Sequence, residues 1–99
     1  MKNLIEALKA KGLKAKENGV ELEIIVTIDC EDINLRNLHE LTIVAIEETE
    51  NTLELIPDSN MAFSIGKNYE SIDCEELENF EYEYTIKYGN NVTISISFF

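Results

Sequence analysis

The sequence predicts an α+β domain in which an N-terminal helix and a short acidic helix pack on an antiparallel sheet of five or six strands. Three observations support this prediction. Apolar residues near the N-terminus recur at helical spacing, later segments alternate apolar and polar residues, and turn-forming residues separate those segments. A chain of 99 residues buries enough surface to fold without disulfides or metals, so we expect a single domain over residues 1–99.

The first predicted element is an amphipathic helix that begins at Lys2. Its apolar residues follow the three-and-four spacing of one helix face, at Leu4, Ile5 and Leu8. Gly12 weakens the second half of the pattern, because glycine is a poor helix former and often adopts the left-handed conformation that follows a helix. We therefore expect the regular helix to end near Lys11 with Gly12 as its cap, and a turn at Asn18-Gly19.

Four segments in the middle of the chain have the composition and alternation of β-strands. They are Val20–Asp29, Leu41–Glu47, Thr52–Ile56 and Met61–Ile65. The polar residues 48–51 have a length suited to a hairpin between the second and the third. The segment Cys30–Glu40 is predicted to be a loop, because Asn34 and Asn37 favour irregular backbone.

The last third of the chain predicts a helix followed by a hairpin. Ser71–Phe80 begins with acidic residues, and Asp73 and Glu76 have the spacing of a capping box, so we expect a short helix there. Residues 82–88 and 92–98 alternate strictly on either side of Gly89-Asn90-Asn91, which predicts a C-terminal β-hairpin. We expect one face of the sheet to be exposed to water, as antiparallel sheets permit, with Tyr82 and Tyr84 in the core.

Charge is distributed unevenly along the chain, whose net charge is −12. Met1–Lys16 carries five lysines and one acid, whereas residues 17–99 carry nineteen acids and three basic residues. Such a field attracts basic surfaces and opposes direct binding to nucleic acids or to anionic membranes. No apolar run is long enough to span a bilayer or to act as a secretory signal, so we expect a cytoplasmic protein.

The strongest candidate for a binding surface is a block of seven acids without a basic residue, between Glu70 and Glu83. Two interpretations remain open: a solvated face, or a contact surface for a basic partner. DNA carries one charge per ~1.7 Å of duplex, and one strand is too sparse to match that density, so acids from several elements would have to converge. The predicted partner-binding residues are Glu21, Glu23, Glu47, Glu48, Glu50, Glu70, Asp73, Glu75, Glu76, Glu78, Glu81 and Glu83.

Catalytic, metal and cofactor chemistry has little support in this sequence, and we expect neither an enzyme nor a cofactor. His39 is the only histidine, so a catalytic triad or a histidine-containing metal site would have to be built around it. The acids near Asp29 and near Asp73 lack the alternating oxygen ligands and central glycine of a calcium loop. Cys30 and Cys74 form no CxxC motif, and we expect two reduced thiols.

The chain combines a small size with a short N-terminal helix (Lys2–Lys11), antiparallel strands and the acidic stretch Glu70–Glu83. In these features it resembles the small acidic inhibitors that phages and plasmids use against bacterial defence nucleases. Among these it is most similar to anti-CRISPR proteins that occupy the DNA-binding groove of an RNA-guided nuclease. The resemblance covers the general plan and no motif, so it assigns no role to any residue. It implies a non-enzymatic DNA mimic whose partner is a basic, nucleic-acid-binding nuclease.

Two other functions fit the same size and charge. An immunity protein that neutralises a basic toxin nuclease would use the same electrostatics on a different partner. A small structural or regulatory domain would use its acids only for solubility. The protein is predicted to be a monomer or a homodimer, held in the second case by the N-terminal lysines on the acids of a second copy, or by an apolar edge at Val92–Phe98 with Phe98 and Phe99 exposed.

Overall fold

The computed structural model describes residues 1–58, 61–78 and 81–98, which contain one α-helix and seven β-strands. The strands form an antiparallel sheet in the order β4-β3-β2-β1-β7-β6-β5. A 3₁₀ turn, Glu31–Ile33, connects β1 to β2. The elements are α1 Lys2–Glu17, β1 Leu22–Cys30, β2 Leu35–Glu48, β3 Thr52–Pro57, β4 Phe63–Gly66, β5 Ser71–Glu76, β6 Tyr82–Tyr88 and β7 Val92–Phe98.

The predicted fold class is wrong in its strand count and in its second helix. The segment predicted as the acidic helix Ser71–Phe80 begins with β5, and Asn79 and Phe80 lie outside the described residues. All six residues of β5 pair with β6 in continuous register, with Ile72 opposite Ile86. These cross-strand contacts outweigh the local capping-box signal, because packing against a formed neighbouring strand routinely overrides weak helix propensity.

The helix is longer than predicted and continues through Gly12 to Glu17. The left-handed residue that follows it is Gly19, with φ +68°, and not Gly12. Beyond the helix end, Val20 N–H donates to the carbonyl of Ala15 at 2.9 Å. This is the bond of a Schellman motif, which satisfies a terminal carbonyl that α1 would otherwise leave unpaired.

Most of the predicted loop Cys30–Glu40 is also strand. Asn34 adopts the left-handed conformation, with φ 51° and ψ 43°, directly after the 3₁₀ turn. Asparagine tolerates that conformation better than most residues, so the chain reverses there within a few residues and enters β2 at Leu35. Arg36 Nε lies 3.5 Å from Asp29 Oδ1, which joins the two sides of this reversal.

The contacts divide the chain into two compact units. Unit 1 comprises Met1–Glu23 and Leu41–Lys67, and unit 2 comprises Ile24–Glu40 and Asn68–Phe99. The expectation of one domain stays a prediction. In unit 1 the apolar side of α1 and residues of β1 to β4 are buried, namely Leu4, Ile5, Leu8, Leu22, Ile43, Leu53, Leu55 and Ile65.

In unit 2, strand register separates an apolar face from a polar one. On the apolar face, isoleucines of β5, β6, β7 and β1 lie in one cross-strand row, Ile72, Ile86, Ile94 and Ile28. The next row on the polar face is Asp73, Thr85, Ser95 and Thr27. This arrangement agrees with the alternation in the sequence, because successive side chains of a strand point to opposite faces.

Phe98 is buried, with 1% of its surface exposed, and its ring stacks on Tyr84 at a centroid distance of 5.9 Å. Its predicted exposure at a dimer edge is therefore wrong. The strand that carries it, β7, pairs with β1 on one side and with β6 on the other, so its backbone is not an edge of the sheet. Phe99 lies outside the described residues.

Candidate functional site

The β5–β6 pair of unit 2 brings three predicted site residues to one face. Glu75 and Glu83 lie directly opposite each other on the two strands, and Asp73 is two residues before Glu75 on the same face. The strand period places Asp73 and Glu75 about 7 Å apart, and neighbouring strands are about 4.8 Å apart. Three carboxylates therefore share an area that one strand alone would not fill.

This acidic group lies at the edge of the sheet. In the strand order, β5 is terminal, so within the described residues one side of its backbone has no partner strand. All four residues from Asp73 to Glu76 are exposed. An exposed strand edge with unpaired N–H and C=O groups is a template for a further strand, and charged side chains on such a strand limit which partners can approach it.

The described part of the chain supplies these carboxylates with few cationic neighbours. The only base on β6 is Lys87, which is opposite Ser71 and four cross-strand pairs along the strands from the Glu75–Glu83 pair. Ser97 on β7 donates from Oγ to Glu83 Oε2 at 3.4 Å, which is a long hydrogen bond. Within residues 1–58, 61–78 and 81–98, no ion pair involves Asp73, Glu75 or Glu83.

The remaining acids of the block have different surroundings. Glu76 is opposite Tyr82 and belongs to the other face of the sheet. Glu70 is exposed, and its backbone N–H donates to the carbonyl of Lys87 at 2.8 Å. Glu78 is exposed and Glu81 is half-buried on either side of the undescribed residues 79 and 80. The block predicted from sequence is therefore divided between two faces and a connection.

Tyr84 and Cys74 are paired behind this edge, on the apolar face. Burial of the phenol, followed by its hydrogen bond with the Cys74 thiol, raises the pKa of Tyr84 to about 12. Tyr84 is buried, as predicted, whereas Tyr82 is half-buried. Cys74 is exposed and Cys30 half-buried, and both are free thiols.

The predicted acids of unit 1 form a separate group. Glu47, Glu48 and Glu50 are exposed at the β2–β3 hairpin, and Glu21 and Glu23 are exposed at the start of β1. Whether these acids share one patch with those of unit 2 stays a prediction.

One acid of the unit 1 group, Glu48, forms an ion pair. Lys67 Nζ lies 2.6 Å from Glu48 Oε2, and this hydrogen bond and charge hold the pKa of Glu48 below its usual value. The same ammonium donates to the carbonyl of Thr49 at 2.6 Å. Glu48 thus helps to hold Lys67 against the hairpin, and it is the least available of the predicted partner-binding residues for binding a partner.

Sequence reasoning missed Glu54, which lies opposite Glu47 on β3. Its carboxylate accepts hydrogen bonds from Thr52 Oγ1 at 3.0 Å and from Ser64 Oγ. The alternation of Thr52, Glu54 and Ile56 was the available signal, because it places Glu54 on the more exposed face of a strand that was otherwise predicted correctly. Among the residues that the structure describes, each unit therefore contains a cross-strand glutamate pair.

In the described residues, no group of three or more Asp, Glu, His or Cys side chains is arranged to hold a metal ion. Nor does any helix there have the length and apolar character needed to cross a membrane. Comparison of the chain with protein families, with curated proteins and with solved structures found no match.

Proposed function

We propose that this chain is a non-enzymatic binding protein that attaches to a basic protein surface through the carboxylates of β5 and β6. The observation that carries the proposal is the cross-strand pair Glu75–Glu83 with Asp73 beside it, on an exposed edge strand. Like charges directly opposite each other destabilise a sheet, by roughly 0.2–1 kcal/mol per pair. A basic partner relieves that repulsion, so the feature that costs stability in the free protein favours the complex.

The finer proposal is that the partner is a nucleic-acid-binding protein, such as a nuclease, which the chain inhibits in the cytoplasm by acting as a DNA mimic. A groove that binds phosphates through counterion release can bind clustered carboxylates by the same physics. Two strands of carboxylates support this better than one, because their spacing in two directions is closer to that of a phosphate backbone. Binding by this mechanism weakens steeply as salt increases.

An immunity protein against a basic toxin nuclease is the alternative that the same surface supports. It differs in the partner and not in the electrostatics. A partner captured from cells therefore decides between the two, since one would be a defence nuclease and the other a toxin.

The main competing explanation for these acids is protection of the sheet edge. Charged residues on an edge strand prevent its pairing with other copies of the chain, and need no partner to be useful. The two explanations predict changes in different measurements for a variant that is neutral at the pair. Loss of edge protection increases self-association, whereas loss of a binding surface reduces partner capture.

The test is the double variant E75Q/E83Q, compared with E17Q/E31Q, which removes the same charge from two other exposed glutamates. Partners are captured from a bacterial lysate at low and high salt, identified by mass spectrometry, and titrated by calorimetry. We expect E75Q/E83Q to weaken binding roughly tenfold and the control to change it little, since each exposed pair contributes up to about 1 kcal/mol.

We also expect E75Q/E83Q to raise the free energy of unfolding by a few tenths of a kcal/mol, because it removes the cross-strand repulsion. Chemical denaturation measures this separately from binding. Unchanged partner affinity together with increased self-association in light scattering would reject the proposal and assign the acids to edge protection.

A further inference from the structure

A second surface, in unit 1, has the opposite character. A groove of about 540 Å³ runs between the C-terminal half of α1, the segment that leads into β1, and the middle of β2. Its lining includes Leu13, Val20 and Val44, which are 61%, 59% and 61% exposed. Exposed apolar side chains that are gathered in one concave place, and not scattered singly, indicate a binding site.

Cations flank this apolar groove. Lys9 and Lys16 line it, and their spacing of seven residues places both on the same side of α1. One acid, Glu21, lines the groove as well. In a chain of net charge −12, a groove with two ammonium groups and one carboxylate is a local exception to the surrounding field.

The two lysines differ in their other neighbours. Lys9 also lines a second cleft, of about 500 Å³, together with Lys2 and Lys67. Two acids, Glu6 and Glu48, also line that cleft, and the pKa of Glu48 is lowered chiefly by Lys67 and to a smaller extent by the charge of Lys9. Lys16 lines the apolar groove and not this second cleft, so it is the better candidate to hold an anionic group in the groove.

Size and charge together select the class of occupant. The volume is that of a small-molecule site, and is too small for a domain or a long helix. A second copy of this chain would bring another net charge of −12, and a cationic ligand would meet Lys9 and Lys16. An anionic group fits the lysines, and a hydrocarbon chain fits the exposed apolar side chains of Leu13, Val20 and Val44.

We propose that this groove binds a single-chain anionic amphiphile of the fatty-acid class, with the headgroup at Lys16 and the chain along Leu13, Val20 and Val44. This site is independent of the acidic edge described for unit 2. It also gives the basic N-terminal helix a role. The proposed binding of a basic partner by carboxylates assigns no role to that helix.

Gly12 offers a direct way to block the groove. It lines the groove from inside α1, and a Cβ at this position would lie 3.8 Å from Leu22 Cδ2, which is an ordinary van der Waals contact. A leucine there extends into the groove while improving helix propensity, so G12L should fold. The matched control is A10L, which adds the same side chain at an exposed position of α1 outside the lining.

The probe is monomeric decanoate, titrated into the full chain at low salt and followed by NMR chemical shifts. We expect saturable shifts centred on Leu13, Val20 and Val44, with affinity rising about two- to fourfold for each methylene from octanoate to dodecanoate. G12L should abolish these shifts and A10L should keep them. K16Q should weaken binding roughly two- to fivefold, whereas K14Q, at a lysine outside the lining, should not.

Several results would overturn the proposal. One is decanoate binding that G12L leaves intact, since the ligand would then lie outside the groove. Another is binding of decyltrimethylammonium with the same affinity as decanoate, since the headgroup charge would then be irrelevant. A third is the absence of saturable shifts at millimolar decanoate. A fourth is concentration-dependent self-association of the free protein that G12L abolishes, because the occupant would then be a second copy.

Discussion

Gly12 lies inside α1, at a position whose backbone is not left-handed and where a methyl group has room beside Leu22. Glycine costs about 0.5–1 kcal/mol relative to alanine in a helix interior, because more backbone entropy is lost on folding. We therefore expect Gly12→Ala to raise the free energy of unfolding by about that amount in urea denaturation.

Gly19 is the matched control for this substitution. Its φ of +68° strains any residue with a Cβ, so Gly19→Ala should lower the free energy of unfolding by about 1 kcal/mol. A destabilising effect of Gly12→Ala together with little effect of Gly19→Ala would show that Gly12, and not Gly19, caps the helix, as the sequence predicted.

The titration of Tyr84 makes the free energy of unfolding depend on pH in the alkaline range. Its pKa is about 12 in the folded protein, above the ordinary value of 10.0, because the phenol is buried and hydrogen-bonded to Cys74. A raised pKa means that the folded state holds the proton more tightly. The stabilisation is therefore complete below pH 10 and is lost as pH rises from about 10 to about 12.

We expect the tyrosinate absorbance of wild type to show one phenol titrating near pH 12, and Tyr84→Phe to remove it and to flatten the alkaline fall in stability. Burial also raises the pKa of Tyr88, so a smaller fall should remain in the variant. Titration of Tyr84 near pH 10 would contradict the burial and the Cys74 bond.

At the scale of single elements, β7 is an interior strand of unit 2. It pairs on both sides, and Phe98 near its end is buried against Tyr84. Truncating a buried phenylalanine removes its transfer free energy and leaves a cavity, so Phe98→Ala should cost about 3–5 kcal/mol in chemical denaturation. Phe98→Leu keeps most of the volume and should cost less than about 1.5 kcal/mol. A cost near zero for the alanine variant would mean that the side chain is exposed.

The elements also show where sequence reasoning succeeds. The C-terminal hairpin was predicted at residues 82–88 and 92–98, and the structure confirms it, with Asn90 and Asn91 in the left-handed conformation. Alternation and turn chemistry both lie within the seventeen residues from 82 to 98, so local sequence patterns were sufficient. The N-terminal helix was predicted for the same reason.

The strand β5 shows where prediction from the sequence fails. Asp73 and Glu76 satisfied a capping box, yet the segment also alternates, with Ile72 and Cys74 on one side and Asp73 and Glu75 on the other. Short segments of this kind fit either period, and only the presence of β6 alongside decides between them. The pairing of Glu75 with Glu83, on which the candidate site depends, follows from that decision and is invisible in the sequence.

At the scale of the whole molecule, the net charge of −12 opposes compaction, because like charges are brought together on folding. Raising ionic strength from about 0.01 M to about 0.1 M shortens the Debye length from about 30 Å to about 10 Å. We therefore expect the midpoint of thermal unfolding to rise by about several degrees over this range.

The variant E75Q/E83Q should show a smaller salt effect than wild type, since part of the repulsion has been removed. Sucrose at the same osmolarity controls for effects other than screening. A melting temperature that is insensitive to salt would mean that the carboxylates are far enough apart, or sufficiently paired, not to repel one another in the folded state.

The sequence by itself determined the presence of the N-terminal helix, the C-terminal hairpin and the other strands except β5 and the first part of β2, and the division into a basic start and an acidic remainder. Those features depend on residues close together along the chain, through periodicity, turn chemistry and composition. Only the tertiary structure decided that β5 is an edge strand, that Phe98 is buried, and that Glu75 lies opposite Glu83. These depend on which strands pair and in what register, and such pairing joins residues that no local pattern connects.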